Sequence, residues 1–132
     1  MEPRGIRNCN PGNIRRTNDK WKGLCAEQTD KDFFQFSEMK WGYRAMLRTL
    51  QNYRKRHGCD TIGDFIRRWA PPEENNTLAY IRFVCQKLGL PPAYVPSVED
   101  KHSMCMLVWA MAWYENGVNP IMEEIAEGWE VL

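Results

Sequence analysis

A run of apolar side chains at helical spacing constrains the fold of this chain most. The run consists of Tyr43, Met46, Leu47, Leu50 and Tyr53. Steps of three and four residues place these side chains on one face of an α-helix. Ser37 and Glu38 precede the run as a helix start, and Gly58 follows His57 as a stop. The sequence therefore predicts an amphipathic helix from about residue 38 to 57.

Two further helices are predicted between this helix and the middle of the chain. Thr61 and Asp64 have the spacing of a capping box. A short helix is expected to begin there, and Pro71-Pro72 would terminate it. The next helix is expected to direct four of its side chains toward the core and to end at Gly89. Those four residues are Ile81, Val84, Cys85 and Leu88.

The C-terminal third of the chain predicts two more helices. Ser97 is a candidate cap for a long apolar helix that runs to about Tyr114 and ends at Asn116-Gly117. Its expected core residues are Met104, Leu107, Val108 and Met111. Asn119-Pro120 is expected to start the last helix. Such a helix would carry Glu123 and Glu124 in its first turns, where carboxylates suit the helix dipole.

The segment 13–36 has a different pattern, with short apolar groups separated by polar turns. Those groups contain Ile14, Trp21, Leu24, Phe33, Phe34 and Phe36. Such spacing predicts two or three short antiparallel strands. The expected fold class is α+β and mainly helical, with four to five helices around a small β-hairpin region. The 132 residues suffice for one domain, 1–132, with a modest core.

Composition excludes several classes of function. A net charge of +1 does not steer the whole chain toward nucleic acid or an anionic membrane. No apolar run is long enough to cross a bilayer, and Met1-Glu2-Pro3-Arg4 is not the start of a signal peptide. The five cysteines and two histidines have no recognised metal-ligand spacing, so neither a metal site nor a cofactor is expected.

A tight bend near the start is the first candidate ligand site. Asn10-Pro11-Gly12-Asn13 predicts a type II turn with positive φ at Gly12. Asn8, Asn10 and Asn13 carry amide donors and acceptors suited to binding sugars. Arg15 flanks the bend. The alternative is a hydrogen-bonded surface turn with no ligand.

An acidic loop between the two middle helices is the second candidate site. Pro71-Pro72 stiffens the loop, and Glu73 and Glu74 follow directly. The surrounding residues form a candidate sugar-contacting wall, namely Trp69, Asn75, Asn76, Thr77 and Tyr80. Glycoside cleavage needs a proton donor and usually a second carboxylate. The hairpin segment could supply that partner through Glu27, Asp30 or Asp32.

Two alternatives remain for the acidic loop. Asn76 or Thr77 can cap the following helix, and Glu73 and Glu74 can simply interact with its dipole. The catalytic interpretation requires the acidic loop to face the asparagine bend across a groove.

Several blocks of this sequence resemble small phage and prophage virion-associated proteins with lysozyme-like folds, taken as peptidoglycan hydrolases. The blocks are Arg4-Gly-Ile-Arg-Asn-x-Asn-Pro-Gly-Asn-Ile-Arg15, Trp21-x-Gly23, Asp32-x-x-Phe-x-Phe36, Gly42-x-Arg-Ala45 and Trp69-Ala-Pro-Pro-x-Glu-Asn-Asn-Thr-x-x-Tyr80. A more distant similarity is to the glucosaminidases of flagellar rods and cell-wall autolysins. The resemblance implies a lysozyme-like domain with a β-hairpin lobe over about 13–36, a helical lobe over about 38–132 and a cleft between them.

The resemblance also implies site residues. Glu74 matches the glutamate of the Glu-Asn-Asn-Thr block, and Asn13, Trp21 and Tyr80 match positions that would line the cleft. Lysozyme-like enzymes usually take their general acid from the end of a helix before the hairpin. Here only Met1-Glu2-Pro3 precedes the Arg4-Gly-Ile-Arg7 turn, so Glu2 is the sole approximation to that acid.

These observations predict cleavage of peptidoglycan glycan strands by a muramidase, glucosaminidase or lytic transglycosylase. Glu74 is the candidate proton donor, with Asp32 or Glu27 assisting. The chain would be a monomer, made without a signal peptide, that acts at the bacterial cell wall or within a virion. A non-catalytic module that binds glycan, virion proteins or injection-apparatus proteins is the alternative. Nucleic-acid binding through Arg4, Arg7, Arg15 and Arg16 is disfavoured because no base-reading element accompanies them.

Overall fold

A computed structural model describes all 132 residues, and six helices contain most of its regular structure. The helices are α1 (Arg4–Arg7), α2 (Met39–His57), α3 (Ile62–Trp69), α4 (Thr77–Leu88), α5 (Lys101–Asn116) and α6 (Met122–Glu130). The mainly helical prediction is confirmed. The single turn of α1 was not predicted. None of the helices combines the length and apolar character required of a membrane span.

Local signals explain most of the helix ends. Thr61 and Asp64 form the predicted capping box at the start of α3. Gly58, Gly89 and Gly117 end α2, α4 and α5 in the left-handed conformation, with φ of 63°, 67° and 70°. The start of α5 differs from the prediction, because Asp100 rather than Ser97 caps it by accepting a hydrogen bond from the Ser103 amide.

The core surrounds α5, which packs against α4 and α6, while α2 packs mainly against α6. The four residues predicted to make α5 the central helix are all at most 1% exposed. A second, smaller cluster joins Phe34 and Phe36 to Ala45 on α2. The non-helical segment before α2 is thereby attached to the helical body.

Segment 13–36 contains two isolated antiparallel bridges, Arg15 with Phe33 and Leu24 with Phe36, in place of the predicted strands. Many of the backbone groups that would pair in a β-ladder are hydrogen-bonded to side chains instead. Gln28 accepts from the Gln35 amide, and the Gln35 side chain accepts from the amides of Thr29 and Asp30. Such local bonds compete with sheet formation. The segment is therefore a looped structure and not a regular hairpin.

The bend at Asn10–Asn13 is present, and the Asn13 amide donates to the Asn10 carbonyl at 2.9 Å. The predicted positive φ at Gly12 is wrong, because the left-handed residue is Asn13, with φ 48°. Position 12 requires glycine because a larger residue would not fit between the neighbouring side chains. A Cβ atom there would lie 2.7 Å from Cζ2 of Trp69 and 2.8 Å from Cγ of Met46. The bend therefore packs directly on the end of α3.

Candidate functional site

The last turn of α5 brings one carboxylate to the N-terminal bend. Glu115 is partly buried and lies one residue before the end of the helix. Asn116, the next residue, donates from Nδ2 to the Pro11 carbonyl at 2.9 Å and to the Ala112 carbonyl at 3.0 Å. The end of α5 and the bend are thereby fixed to each other across almost the whole length of the chain.

Three side chains donate hydrogen bonds to the carboxylate of Glu115. Nδ2 of Asn13 donates to Oε1 at 3.0 Å. The Tyr80 hydroxyl donates to Oε2 at 2.9 Å, and Nε1 of Trp69 donates to the same oxygen at 3.3 Å. The donors come from the bend, from α4 and from the end of α3. Glu115 is thus the point at which three separate parts of the chain meet.

Opposing effects set the pKa of Glu115. Burial raises the pKa of its carboxyl above the ordinary glutamate value, while the hydrogen bonds from Asn13, Tyr80 and Trp69 act to lower it. Burial prevails. The pKa of Tyr80 is raised well above its usual range by burial first and by the Glu115 charge second, so the phenol keeps its proton and remains a donor.

Glu115 lines a cavity of about 430 Å³ that opens between the bend and the α3–α4 loop. Gly12, Asn13 and Arg15 contribute from the bend side, and Glu74 and Asn75 contribute from the loop. The predicted juxtaposition of the two segments across a groove is therefore confirmed. A hydrogen bond from the Thr77 hydroxyl to the Ala70 carbonyl holds the two ends of the loop together.

Five of the predicted site residues line this cavity. They are Asn13, Arg15, Trp69, Glu74 and Asn75. Asn13 and Trp69 are engaged with Glu115. The side chains of Arg15, Glu74 and Asn75 are exposed at its rim.

Four predicted sugar-binding residues have other surroundings. Asn10 is fully buried, and it donates to the carbonyls of Ile14 and Phe34 and accepts from the Ile14 amide, so it stabilises the bend and cannot reach a ligand. Tyr80 is 2% exposed and positions Glu115. Asn76 caps α4 outside the cavity, accepting from the Ala79 amide. Trp21 lines a neighbouring depression.

The predicted partner carboxylates of the 13–36 segment lie outside the cavity. Glu27 is exposed. Asp32 lies 3.4 Å from Nη2 of Arg4. Asp30 accepts hydrogen bonds from Arg4 at 2.7 Å and from Asn8 at 3.0 Å, and its pKa is strongly lowered, first by the Arg4 guanidinium. Asp30 therefore stabilises the 28–33 loop against α1.

A separate groove of about 700 Å³ contains Glu2, the approximate counterpart of the usual acid. Tyr43, Val118 and Ile121 line the same groove, together with Glu124. Burial raises the pKa of Glu124, with the charges of Glu127 and Glu123 acting in the same direction. Glu2 therefore lies outside the cavity that Glu115 lines. That cavity contains no acidic residue from the segment before the bend.

Glu115 was absent from the sequence-based candidates, although a signal for it exists. An acidic side chain in the last turn of a helix lies at the negative end of the helix dipole, where it is unfavourable. Glu115 is in that position, directly before the stop at Asn116-Gly117. A carboxylate that opposes a local rule can indicate a functional role.

The fold and the site define a mainly helical protein in which the C-terminal end of one helix holds a carboxylate in a cleft behind an N-terminal bend. No protein-family model matches the chain. It is 38% identical over 131 residues to Protein P5 of Pseudoalteromonas phage PM2, an alignment that covers 96% of this chain and 80% of the phage protein. The chain belongs to the family of that phage protein, and this homology supports the predicted phage origin.

Proposed function

We propose that this protein cleaves the glycan strands of peptidoglycan and that Glu115 is the proton donor. The observation that carries the proposal is a partly buried carboxyl, with a raised pKa, on the wall of a cavity lined by polar side chains. A general acid in glycoside cleavage must hold its proton at the working pH and deliver it to the glycosidic oxygen. Burial of Glu115 shifts its pKa in the direction that this role requires, and its carboxyl lines the cavity, whereas Glu74 is exposed at the rim.

Hydrogen bonding gives Glu115 a second advantage for this role. After proton transfer the carboxylate must be stabilised until it is reprotonated. Asn13, Tyr80 and Trp69 already donate to both carboxylate oxygens, so the ionised form needs little rearrangement. The same three donors fix the orientation of the carboxyl group, which matters because proton transfer requires hydrogen-bond reach.

The position of Glu115 also accounts for the acid that the lysozyme-like resemblance lacks at the N-terminus. The resemblance places the acid of such enzymes at the end of a helix that precedes the hairpin. In this chain α5 ends beside the bend, although it follows the bend by about a hundred residues in sequence. The proposed acid thus has the expected spatial neighbours with a different order along the chain.

Glu74 is the second carboxylate of the cavity lining, and its role distinguishes the possible reactions. A hydrolase requires a nucleophile or a base opposite the acid, and in this cavity Glu74 would supply it. A lytic transglycosylase needs one carboxyl, because a hydroxyl of the sugar replaces water. Glu74→Gln would therefore abolish hydrolysis but leave transglycosylation largely intact.

The test is product release from purified peptidoglycan by the wild type, Glu115→Gln and Glu74→Gln, with products identified by mass spectrometry. We expect soluble fragments from the wild type and at least a hundredfold less from Glu115→Gln, within the range typical of a lost general acid, about 10²–10⁴. Anhydro ends would identify transglycosylation, and reducing ends would identify hydrolysis. Equal release by the wild type and Glu115→Gln would refute the assignment of the acid.

The alternative is a non-catalytic module that binds glycan or a partner protein in a phage-derived particle. The phage homologue is compatible with it. Under this alternative the wild type would sediment with insoluble peptidoglycan and release no soluble fragment. Glycan binding alone does not require a carboxyl with a raised pKa, and this feature favours the catalytic proposal.

A further inference from the structure

The cavity of Glu115 continues past Tyr53 into a basic surface. Tyr53 lines that cavity and also two adjoining depressions, of about 710 Å³ and 400 Å³. His57 lines both depressions. The three spaces therefore meet at the C-terminal end of α2, and a ligand that extends beyond the Glu115 cavity has a path along this surface.

Cationic side chains dominate the two depressions, which together we call the basic arm. One contains Arg67 and Arg68 from α3. The other contains Arg56 from α2 and Lys20 from the preceding loop. Two carboxylates oppose these four cations, Asp64 in the first depression and Asp19 in the second. An excess of two positive charges remains before His57 is considered.

Most of these cations have no strong partner within the protein. The Arg67 guanidinium lies 3.8 Å from the Asp64 carboxylate, which is longer than a hydrogen bond. The Arg68 guanidinium lies 5.3 Å from the Tyr53 ring centroid and makes no ion pair. Arg56 and Lys20 form no ion pair either, and all four side chains are exposed. Their donors are available to an anionic ligand.

We propose that the basic arm binds the carboxylates of the stem peptide carried by the glycan strand. This inference rests on the proposed function, since it concerns the same substrate beyond the cleaved bond. Peptidoglycan stem peptides carry several free carboxylates a short distance from the sugar. Arginine suits such groups because its planar fork can donate two parallel hydrogen bonds to one carboxylate. The Glu115 cavity would take the sugars, and the arm would select strands that carry peptides.

Binding to the full-length Glu115→Gln variant tests this, since that variant leaves the ligand intact. The probes are N-acetylglucosaminyl-N-acetylmuramic acid with a tetrapeptide and the same disaccharide without peptide, measured by isothermal titration calorimetry. We expect the peptide-bearing probe to bind at least about tenfold more tightly, equivalent to one good charged contact. Converting its carboxylates to neutral amides should remove the difference.

Substitution of the arm provides the second measurement. Adding Arg67→Gln and Arg68→Gln should lower affinity for the peptide-bearing probe about tenfold and leave affinity for the peptide-free probe unchanged. Adding Arg7→Gln and Arg82→Gln removes the same charge from exposed positions outside the arm and should have no such effect. Circular dichroism and thermal unfolding of each variant establish that it is folded.

Four results would overturn the proposal. The two probes could bind equally, the Arg67 and Arg68 changes could weaken both probes equally, or the control pair could weaken binding as much. A duplex oligonucleotide that binds the arm more tightly than the peptide-bearing probe would also overturn it, by assigning these cations to nucleic acid. Absence of glycan cleavage by the wild type would refute the proposed function only, because the calorimetric difference does not depend on cleavage.

Discussion

The side-chain amide of Asn13 donates a 3.0 Å hydrogen bond to the carboxylate of Glu115, which lies 102 positions later in the chain. Asn13 holds a left-handed backbone conformation, with φ 48°, that asparagine tolerates better than most residues. In the same bend the Pro11 carbonyl accepts a hydrogen bond from the side-chain amide of Asn116. This pair of contacts joins the first and last parts of the chain into one site, and several measurable consequences follow.

Glu115→Gln should increase stability at neutral pH. The folded pKa of Glu115 is raised above its unfolded value, so the native state favours the protonated form. The carboxyl therefore lowers stability as pH rises through the folded pKa, and this cost is absent below the unfolded pKa. Each pKa unit of difference corresponds to about 1.4 kcal/mol.

Glutamine removes the charge and keeps one oxygen acceptor. Oδ1 of Asn13 is buried without a partner, so reversal of the Asn13 amide would let it accept from the new amide group. Denaturant unfolding should show the variant to be more stable at neutral pH and equal to the wild type near pH 3. A variant that is less stable at neutral pH would show that hydrogen bonding outweighs desolvation at this position.

Tyr80→Phe should raise the pKa of Glu115 further. The hydroxyl donates to Oε2 at 2.9 Å and acts to lower that pKa, so its removal destabilises the ionised carboxylate. Titration of a ¹³C-labelled Glu115 carboxyl by NMR should show an upward shift of roughly half to one unit. Under the proposed function, the upper limb of the pH profile for glycan cleavage should move in the same direction.

Tyr114→Phe is the matched control for that change. The Tyr114 ring lies 4.1 Å from the Tyr80 ring, between centroids, but its hydroxyl makes no hydrogen bond to Glu115. The control should leave the Glu115 titration where it is in the wild type. Equal shifts in both variants would mean that the loss of any nearby phenol hydroxyl, and not the loss of the Tyr80 hydrogen bond, moves the pKa.

Gly12→Ala should disturb the site through packing alone. The new methyl group would meet Cζ2 of Trp69 and Cγ of Met46 at 2.7 Å and 2.8 Å, so one or both side chains must shift, and Trp69 also donates to Glu115. Overpacking of this kind costs about 1–3 kcal/mol. Thermal unfolding and tryptophan fluorescence measure the change.

Gly63→Ala separates this effect from a general intolerance of alanine. A Cβ at Gly63 would meet only the mobile end of the Arg67 side chain, at 2.9 Å. Alanine at position 63, in the first turn of α3, should be neutral or stabilising by about 0.5 kcal/mol. Equal destabilisation by both substitutions would argue against the packing of the bend on Trp69.

The helices were accessible from the sequence because their signals are local. Gly58, Gly89 and Gly117 each end a helix where predicted, and the Thr61 capping box forms within four residues. These features depend on backbone conformation and on hydrogen bonds between near neighbours. They therefore form independently of contacts with distant parts of the chain.

The structure of segment 13–36 and the contacts of Glu115 could not be predicted from the sequence, because they depend on distant parts of the chain and on side-chain hydrogen bonds. In the 13–36 segment Gln35 and Asn10 take backbone partners through their side chains, and apolar spacing does not reveal that competition. Glu115 is defined by contacts with residues 35 to 102 positions away. Glu74, the proton donor predicted from the sequence, lines the same cavity as Glu115.

Asn13→Asp should convert the contact between the bend and α5 from attraction to repulsion. The substitution would bring a second carboxyl within hydrogen-bond distance of Oε1 of Glu115, where the wild type has a donor at 3.0 Å. Two carboxylates so close cannot both be ionised without a large cost, so the pair is expected to share one proton up to a higher pH. Acidification should therefore restore the stability that the Asn13→Asp variant loses at neutral pH.

We expect unfolding at neutral pH to show a loss of about 1–3 kcal/mol for Asn13→Asp, because a charged acceptor loses its donor, and a smaller loss near pH 4. Asn18→Asp adds the same charge at an exposed residue five positions later and should change stability by less than about 0.5 kcal/mol. A pH-independent loss for Asn13→Asp would mean that the backbone of the bend, and not the carboxyl pair, responds to the change. A loss that vanishes on acidification would show that Glu115 and the bend are coupled through charge, as a proton donor held by that bend requires.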